Sequence, residues 1–308
     1  MKILVTPTSL NASSTLPALD KLRAAADELV FNPTGAPLHP NQLMPLLGDV
    51  DGVIAGLDDY TAEVIRAAGP RLKVISRYGT GTDRVDLPAA LARGIVVKTT
   101  PGANANAVAE LALGLMFGLA RHIPALDRAV RDGGWPRSTG MELTGKTLGL
   151  IGLGAIGRAV AQRARGLSMT VIGYDPLVAP EEAKSAGITS LTLDEVLRGA
   201  DVVSLHVPLL DATRHLIDAH ALSLMKPGAL LLNTARGGLI DERAALEALQ
   251  SGRLGGLGLD AYETEPPTGS PLFGLDSVIA TPHTGAHTAE ATATMAQMAV
   301  DNLLEVLA

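Results

Sequence analysis

The chain reads as an α/β protein of two doubly wound parallel-sheet domains. Short apolar runs alternate with longer helical patterns throughout, which is how parallel strands covered by helices appear in sequence. The alternation falls into two successive blocks, the first of about 100 residues and the second of about 180. The second block opens on glycines spaced G-x-G-x-x-G between a strand pattern and a helix pattern.

In the first block, KILVTP at Lys2 is the opening strand. DGVIAG at Asp51, KVISRYG at Lys73 and IVVKTT at Ile95 follow, each closed by a turn or a helix. From Ala105 to Arg131 the pattern is helical with Pro124 as its expected kink, and the loop DGGWPRSTG comes after it. The second block supplies six strands: TLGLIGLG, TVIGYD, DVVSLHVP, ALLLNTA, LGLGLDAY and SVIATPH. The segment Ala289 to Ala308 sets Met295, Met298, Leu303, Val306 and Leu307 on one helical face. Proline and glycine at Thr100-Pro-Gly separate the blocks without a linker-like stretch, so the two are expected to pack closely around a cleft.

Composition narrows the function. With 308 residues, 47% hydrophobic and 19% charged, the chain has material for two cores. The net charge of −7 is spread, and no run of Lys and Arg is present to track a phosphate backbone or an anionic membrane. Neither nucleic acid nor membrane is expected as a partner. The most apolar window, Leu111 to Ala120, lies between Glu110 and Arg121 and falls short of the roughly 20 residues of a membrane span, so a core helix is expected there. MKILVTP lacks the features of a signal peptide, and a cytoplasmic location is expected. Without cysteine there are no disulfides, thiolate metal sites or cysteine nucleophiles, and no metal is expected.

The glycine loop carries the first chemistry. Gly152 permits the tight turn, Gly154 lets backbone approach a pyrophosphate, and Gly157 allows close helix packing, while the helix amides receive the anion. About eighteen residues past Gly157, the next strand ends in Asp175, where an acid would meet ribose hydroxyls. A carboxylate there repels a 2′-phosphate, and Pro176 and Leu177 supply no cation to hold one. NAD is therefore expected over NADP.

Three further residues end three late strands of the same block: Arg236 after ALLLNTA, Glu265 after LGLDAYET, and His283 after SVIATP. In an open parallel sheet, ligands lie outside the carboxyl ends of the strands, so these three should share the crevice of the dinucleotide. An imidazole suits proton transfer at an alcohol, a neighbouring carboxylate orients and sustains it, and a guanidinium fork binds a carboxylate and polarises a carbonyl. Each has a plainer reading: a structural ion pair for Arg236, a solvated turn for Glu265, packing for His283. The joint placement after a dinucleotide loop favours the catalytic one. His39, His122, His215 and His220 are assigned to surface or packing roles.

At these motifs the chain resembles the D-isomer-specific 2-hydroxyacid dehydrogenases over nearly its whole length. The resemblance rests on GKTLGLIGLGAIGRAVA, HVPLLDATRHLI, MKPGALLLNTARGGLIDERAAL, LDAYETEPP and TPHTGAHT. It implies a flavodoxin-like substrate domain of residues 1–99 plus 285–308 and a Rossmann NAD-binding domain of 100–284. It implies that Arg236 binds the 2-keto acid, that His283 is the general acid/base and that Glu265 sustains it. The substrate loop would be SRYGTGTDRVD, with Arg77 and Tyr78 near the substrate and the backbone of Gly79, Thr80 and Gly81 on its carboxylate. The cofactor would meet Gly152, Gly154, Ala155, Ile156 and Gly157 at its phosphates and Tyr174, Asp175 and Pro176 toward adenosine. His206, Val207, Pro208 and Thr213 would run along it, with Thr234, Ala235, Arg236, Asp260, His283 and Gly285 by the nicotinamide. Homodimers joined through the nucleotide domains are implied, with the helix after Thr100 at the interface.

Substrate identity stays open. The loop resembles phosphoglycerate dehydrogenase-like members, making 3-phosphoglycerate and phosphohydroxypyruvate one candidate pair. Yet Ala55, Gly56 and Leu57 stand where those enzymes carry an Arg-Ser pair for phosphate. Hydroxypyruvate or glyoxylate reduction, phosphite-type oxidation on the same scaffold, and a non-catalytic NAD-binding regulator are the alternatives.

Overall fold

A computed structural model describes residues 1–308, which divide into two compact units, Met1–Asn104 with His287–Ala308, and Ala105–Ala286. These bounds lie a few residues beyond the expected 99/100 and 284/285.

The first unit holds β1 (Lys2–Val5), β2 (Glu28–Phe31), β3 (Gly52–Ala55), β4 (Val74–Arg77) and β5 (Val96–Lys98), all parallel in the order β2-β1-β3-β4-β5. This is the flavodoxin-like order. Four of the five strands read directly from the sequence; β2 did not, because its ELVF is a short run at the sheet edge with no residue fully buried. The helix Ala289–Leu307 belongs to this unit, where it packs on β3, β4 and the helix Pro17–Ala25. Ala296, Ala299, Val300 and Leu303 form its buried stripe, and the Ser76 hydroxyl donates to the Ala299 carbonyl at 2.8 Å.

The second unit holds β6 (Thr147–Ile151), β7 (Thr170–Tyr174), β8 (Thr189–Ser190), β9 (Val202–Leu205), β10 (Ala229–Asn233), β11 (Leu254–Leu259) and β12 (Val278–Ala280). Their order is β12-β11-β10-β9-β6-β7-β8, again all parallel, so the six expected strands are joined by a two-residue edge strand too short to show a pattern. Strands β9 and β10 are buried at every position, which is why VVSL and ALLLN are apolar but for Ser204 and Asn233. Where the order reverses, between β6 and β9, lies the switch point at which such sheets take their ligands.

The long helical stretch is two helices, Ala105–Ala120 and Ile123–Arg131, bent by 63°. The break comes at His122, whose φ of 53° is left-handed, two residues ahead of the expected Pro124. Pro124 lies instead in the first turn of the second helix, where its missing N–H has no partner to lose. The first helix is core: Ala109, Ala112 and Met116 are buried, and it packs on β10, β11 and the helix Ala155–Gly166. No single helix is long and apolar enough to cross a membrane.

Candidate active site

Because all seven strands of the second sheet are parallel, their carboxyl ends line one edge, and every expected residue of this unit is carried there. The glycine loop after β6 leads into the helix Ala155–Gly166, whose N-cap Gly154 makes no side-chain cap. A Cβ on Gly152 would lie 2.5 Å from the His206 carbonyl carbon, and one on Gly157 would lie 2.1 Å from the Gly152 oxygen, so packing alone excludes side chains at both. A Cβ on Gly154 would meet nothing within 4 Å. Protein contacts do not demand that glycine; a pyrophosphate approaching the helix amides does. Two buried polar atoms at neighbouring strand ends, His206 Nδ1 and Thr234 Oγ1, have no partner within the protein, and a dinucleotide here would satisfy them. The residues present therefore fit NAD.

Asp175, at the end of β7, accepts the Leu153 N–H at 2.8 Å and the Leu177 N–H at 2.9 Å. Its carboxylate thus ties the glycine loop to the adjoining turn and brings a negative charge beside it.

The catalytic candidates come from three adjacent strands, β10, β11 and β12. His283 Nδ1 lies 2.8 Å from Glu265 Oε1. Since an ionised carboxylate only accepts, the proton of that bond belongs to Nδ1, leaving Nε2 to exchange a proton with a ligand. The Glu265 oxygen also accepts the Tyr262 N–H at 3.3 Å. Arg236 opens a 3-10 turn, Gly237–Leu239, directly after β10, and its Nη1 donates to the Ala235 carbonyl at 2.7 Å. The fully buried Asn233 shapes that turn, accepting the Ala235 N–H at 3.0 Å and donating to the Arg236 carbonyl at 2.7 Å.

In the first unit, Arg77 ends β4 and the expected carboxylate loop follows. Arg77, expected near the substrate, is 2% exposed. Its Nε donates to the Gly81 carbonyl at 3.1 Å and its Nη1 to the Ala55 carbonyl at 2.9 Å, so it props the loop from beneath. Gly79 and Thr100 exchange bonds of 3.0 Å, Gly79 N–H to Thr100 Oγ1 and Thr100 N–H to the Gly79 carbonyl. The N–H groups of Thr80 and Gly81 make no main-chain bond within the protein.

The comparisons with known proteins agree with this geometry. Residues 113–285 match the family model of the D-isomer specific 2-hydroxyacid dehydrogenase NAD binding domain. The chain belongs to the D-isomer-specific 2-hydroxyacid dehydrogenase family. It is 44% identical over 283 residues to a hydroxypyruvate reductase of Thermotoga maritima, covering 88% of this chain and 91% of that protein. It is 43% identical over 274 residues to a D-3-phosphoglycerate dehydrogenase of Methanocaldococcus jannaschii, covering 88% of this chain but 52% of that one. The chain thus spans about half the length of the phosphoglycerate dehydrogenases it matches. Among solved structures, a glyoxylate reductase from Paecilomyes thermophila superimposes with a TM-score of 0.87 at 32% identity, covering 98% of this chain and 94% of that one.

Within this dehydrogenase family member, several residues also brace the catalytic loops, contacts that sequence reasoning did not show. Asp260, expected by the nicotinamide, is 2% exposed and spends its carboxylate on the His283 loop. It accepts the Thr281 hydroxyl at 2.6 Å, the Thr284 N–H at 2.8 Å and the Gly285 N–H at 2.8 Å. His283 itself has a left-handed φ of 50°, costly for a residue with a side chain, and these bonds hold it there. The Tyr262 hydroxyl, pushed up to about 12 by burial, donates to the Thr281 carbonyl at 2.8 Å and so joins the Glu265 loop to the same turn. A Cβ on Gly237 would fall 1.7 Å from the Tyr262 carbonyl carbon, so glycine is what lets the Arg236 turn sit against the Glu265 loop. An acid closing an apolar strand was the available signal for Asp260; contacts between distant loops left none for Gly237.

His206 is a wall residue. Burial lowers its pKa to about 4, and its Nε2 lies 2.9 Å from the Ser204 hydroxyl. Between that value and the ordinary value near 6.5, the unfolded chain binds the extra proton, so this residue's contribution to stability falls as pH drops through that window. Between pH 7 and 4.5, urea unfolding should show wild type losing roughly 2 kcal/mol more than His206→Gln. Equal losses would refute a buried neutral ring. Asp175→Asn, which removes the charge and keeps an acceptor, should lower the KM for NADPH relative to NADH by about tenfold, read in paired cofactor titrations; an unaltered ratio places discrimination elsewhere.

Proposed function

We propose that this protein is an NAD-dependent oxidoreductase interconverting a D-2-hydroxy acid and its 2-keto acid, and that its substrate carries no phosphate. The observation that carries the reaction class is the 2.8 Å His283–Glu265 pair on loops adjoining the Arg236 turn at the carboxyl edge of a nucleotide-binding sheet. The cofactor, when bound, would give a hydride to the substrate's second carbon as NADH and take it back as NAD⁺. Arg236 binds the anionic acid and polarises its carbonyl; a fixed cation aimed at developing oxyanion charge is among the strongest catalytic devices. His283 Nε2 delivers the proton to that oxygen in reduction and removes it in oxidation, while Glu265 holds Nδ1 and stabilises the imidazolium. The family resemblance assigns the carboxylate to the amides of Thr80 and Gly81, which make no main-chain bond within the protein.

Absence of phosphate rests on the loop after β3. Ala55, Gly56 and Leu57 provide no cation, and Asp58 behind them is fully buried, accepting the Leu38 N–H at 2.8 Å, the Gly56 N–H at 3.2 Å and the Thr6 hydroxyl. Burial raises its carboxyl. An unphosphorylated acid such as hydroxypyruvate or glyoxylate needs no such cation, in keeping with the relative of matching length. The second reading, 3-phosphoglycerate, is favoured by the phosphoglycerate dehydrogenases at 43–48% identity.

NADH oxidation against hydroxypyruvate, glyoxylate, pyruvate and phosphohydroxypyruvate tests this. Hydroxypyruvate or glyoxylate should exceed phosphohydroxypyruvate in kcat/KM by at least about tenfold. The reverse order establishes the second reading, and binding of NADH without reduction of any acid favours a regulator. We also infer a homodimer, because Phe117, Ile123, Val130 and Trp135 leave apolar surface exposed along and beyond the two joined helices. Light scattering should give twice the chain mass.

A further inference from the structure

We propose that His215 is a positioning residue for the Glu265–His283 pair, acting through Glu263. The inference rests on the reading of that pair as the acid/base, and it gives work to a histidine that the sequence placed among surface or packing residues.

Three loops converge on this imidazole. The segment carrying His215 is stitched to the strand of chain behind Arg236: His215 N–H donates to the Gly238 carbonyl at 2.8 Å and Ile217 N–H to the Leu239 carbonyl at 3.0 Å. The first of these bonds fixes His215 with a φ of 50°, left-handed and unfavourable for a residue with a side chain. From there Nε2 reaches Glu263 Oε1 at 3.2 Å. That same oxygen accepts the Glu242 N–H at 3.1 Å, and Glu242 Oε1 accepts the Glu263 N–H at 2.9 Å. The two carboxylates, each bound to the other residue's N–H, repel; burial raises the Glu242 carboxyl, the Glu263 N–H opposing this and the Glu263 charge adding to it. An imidazole donor at the shared oxygen offsets that repulsion.

The clamp closes on the catalytic loop. Glu263 is two residues from Glu265, and its backbone lies against Gly237, where a Cβ would be 2.3 Å from the Glu263 nitrogen. Loosening Glu263 therefore frees both the carboxylate that orients His283 and the turn that presents Arg236. The His215 and Glu263 side chains are 40% and 38% exposed, so neither leaves a buried unpaired group when removed. Exposed pairs contribute little to overall stability, whereas misplacing a catalytic group by about an ångström costs up to about 100-fold in rate.

The test uses the full chain with His215→Ala, His215→Gln, Glu263→Ala and the double alanine variant. Amide hydrogen exchange is followed over peptides spanning 234–242 and 260–266, and kinetics with whichever acid wild type reduces. His215→Ala should speed exchange about threefold or more in both peptides and lower kcat about tenfold, with KM for NADH and Tm unchanged. Gln, which keeps a donor at the reach of Nε2, should restore both readouts. The double variant should be no slower than either single one, because the two residues act as one unit. Unchanged exchange in His215→Ala, or additive losses in the double variant, overturns the proposal. Should wild type reduce no acid, the acid/base reading fails while the exchange experiment still decides the clamp.

Discussion

Replacing His283 with alanine is expected to lower kcat for keto acid reduction by about 10²- to 10⁴-fold while NADH binds as before. The loss corresponds to roughly 3–5 kcal/mol of transition-state stabilisation. It is confined to turnover because the imidazole meets Glu265 at one nitrogen and leaves the other for the reacting oxygen. Backbone strain is the obvious confounder, since His283 has a φ of 50°. His283→Asn separates the two causes: asparagine tolerates the left-handed region yet cannot exchange a proton at neutral pH. Both variants should be equally slow, by stopped-flow absorbance of NADH. Turnover within a few-fold of wild type in either would remove His283 from the chemistry.

Arg236→Lys is the second large effect. Lysine keeps the charge but loses the planar fork and the reach that Asn233 and the Gly237–Leu239 turn are built to present. We expect kcat/KM for the keto acid to fall about 10²-fold or more, with the KM for NADH little changed. The loss should persist at saturating substrate, since polarising the carbonyl acts in the transition state and not only in binding. A rise in KM alone, with kcat intact, would reduce Arg236 to an anchor; wild-type kinetics would dismiss it.

Much of this was legible before any coordinates. Strands buried on both faces write themselves as apolar runs, so β9 and β10 were plain, and the residues closing β10, β11 and β12 fell at one edge once the strands were parallel. The glycine spacing and Asp175 likewise follow from local rules, because a tight turn and a helix start are decided within a few residues. Edge strands β2 and β8 were not legible, since half-buried or two-residue strands leave no period to detect.

By itself the sequence determined the family and the nucleotide loop, and it singled out Arg236, Glu265 and His283 as candidates. Only the tertiary structure decided who supports them. Arg77 holds the carbonyls of Ala55 and Gly81, Asp260 braces the His283 turn, Gly237 seats the Arg236 turn against Tyr262, and His215 reaches Glu263. The Asp260, Gly237 and His215 contacts join segments more than 20 residues apart, and local patterning carries no record of distance between loops that only folding brings together.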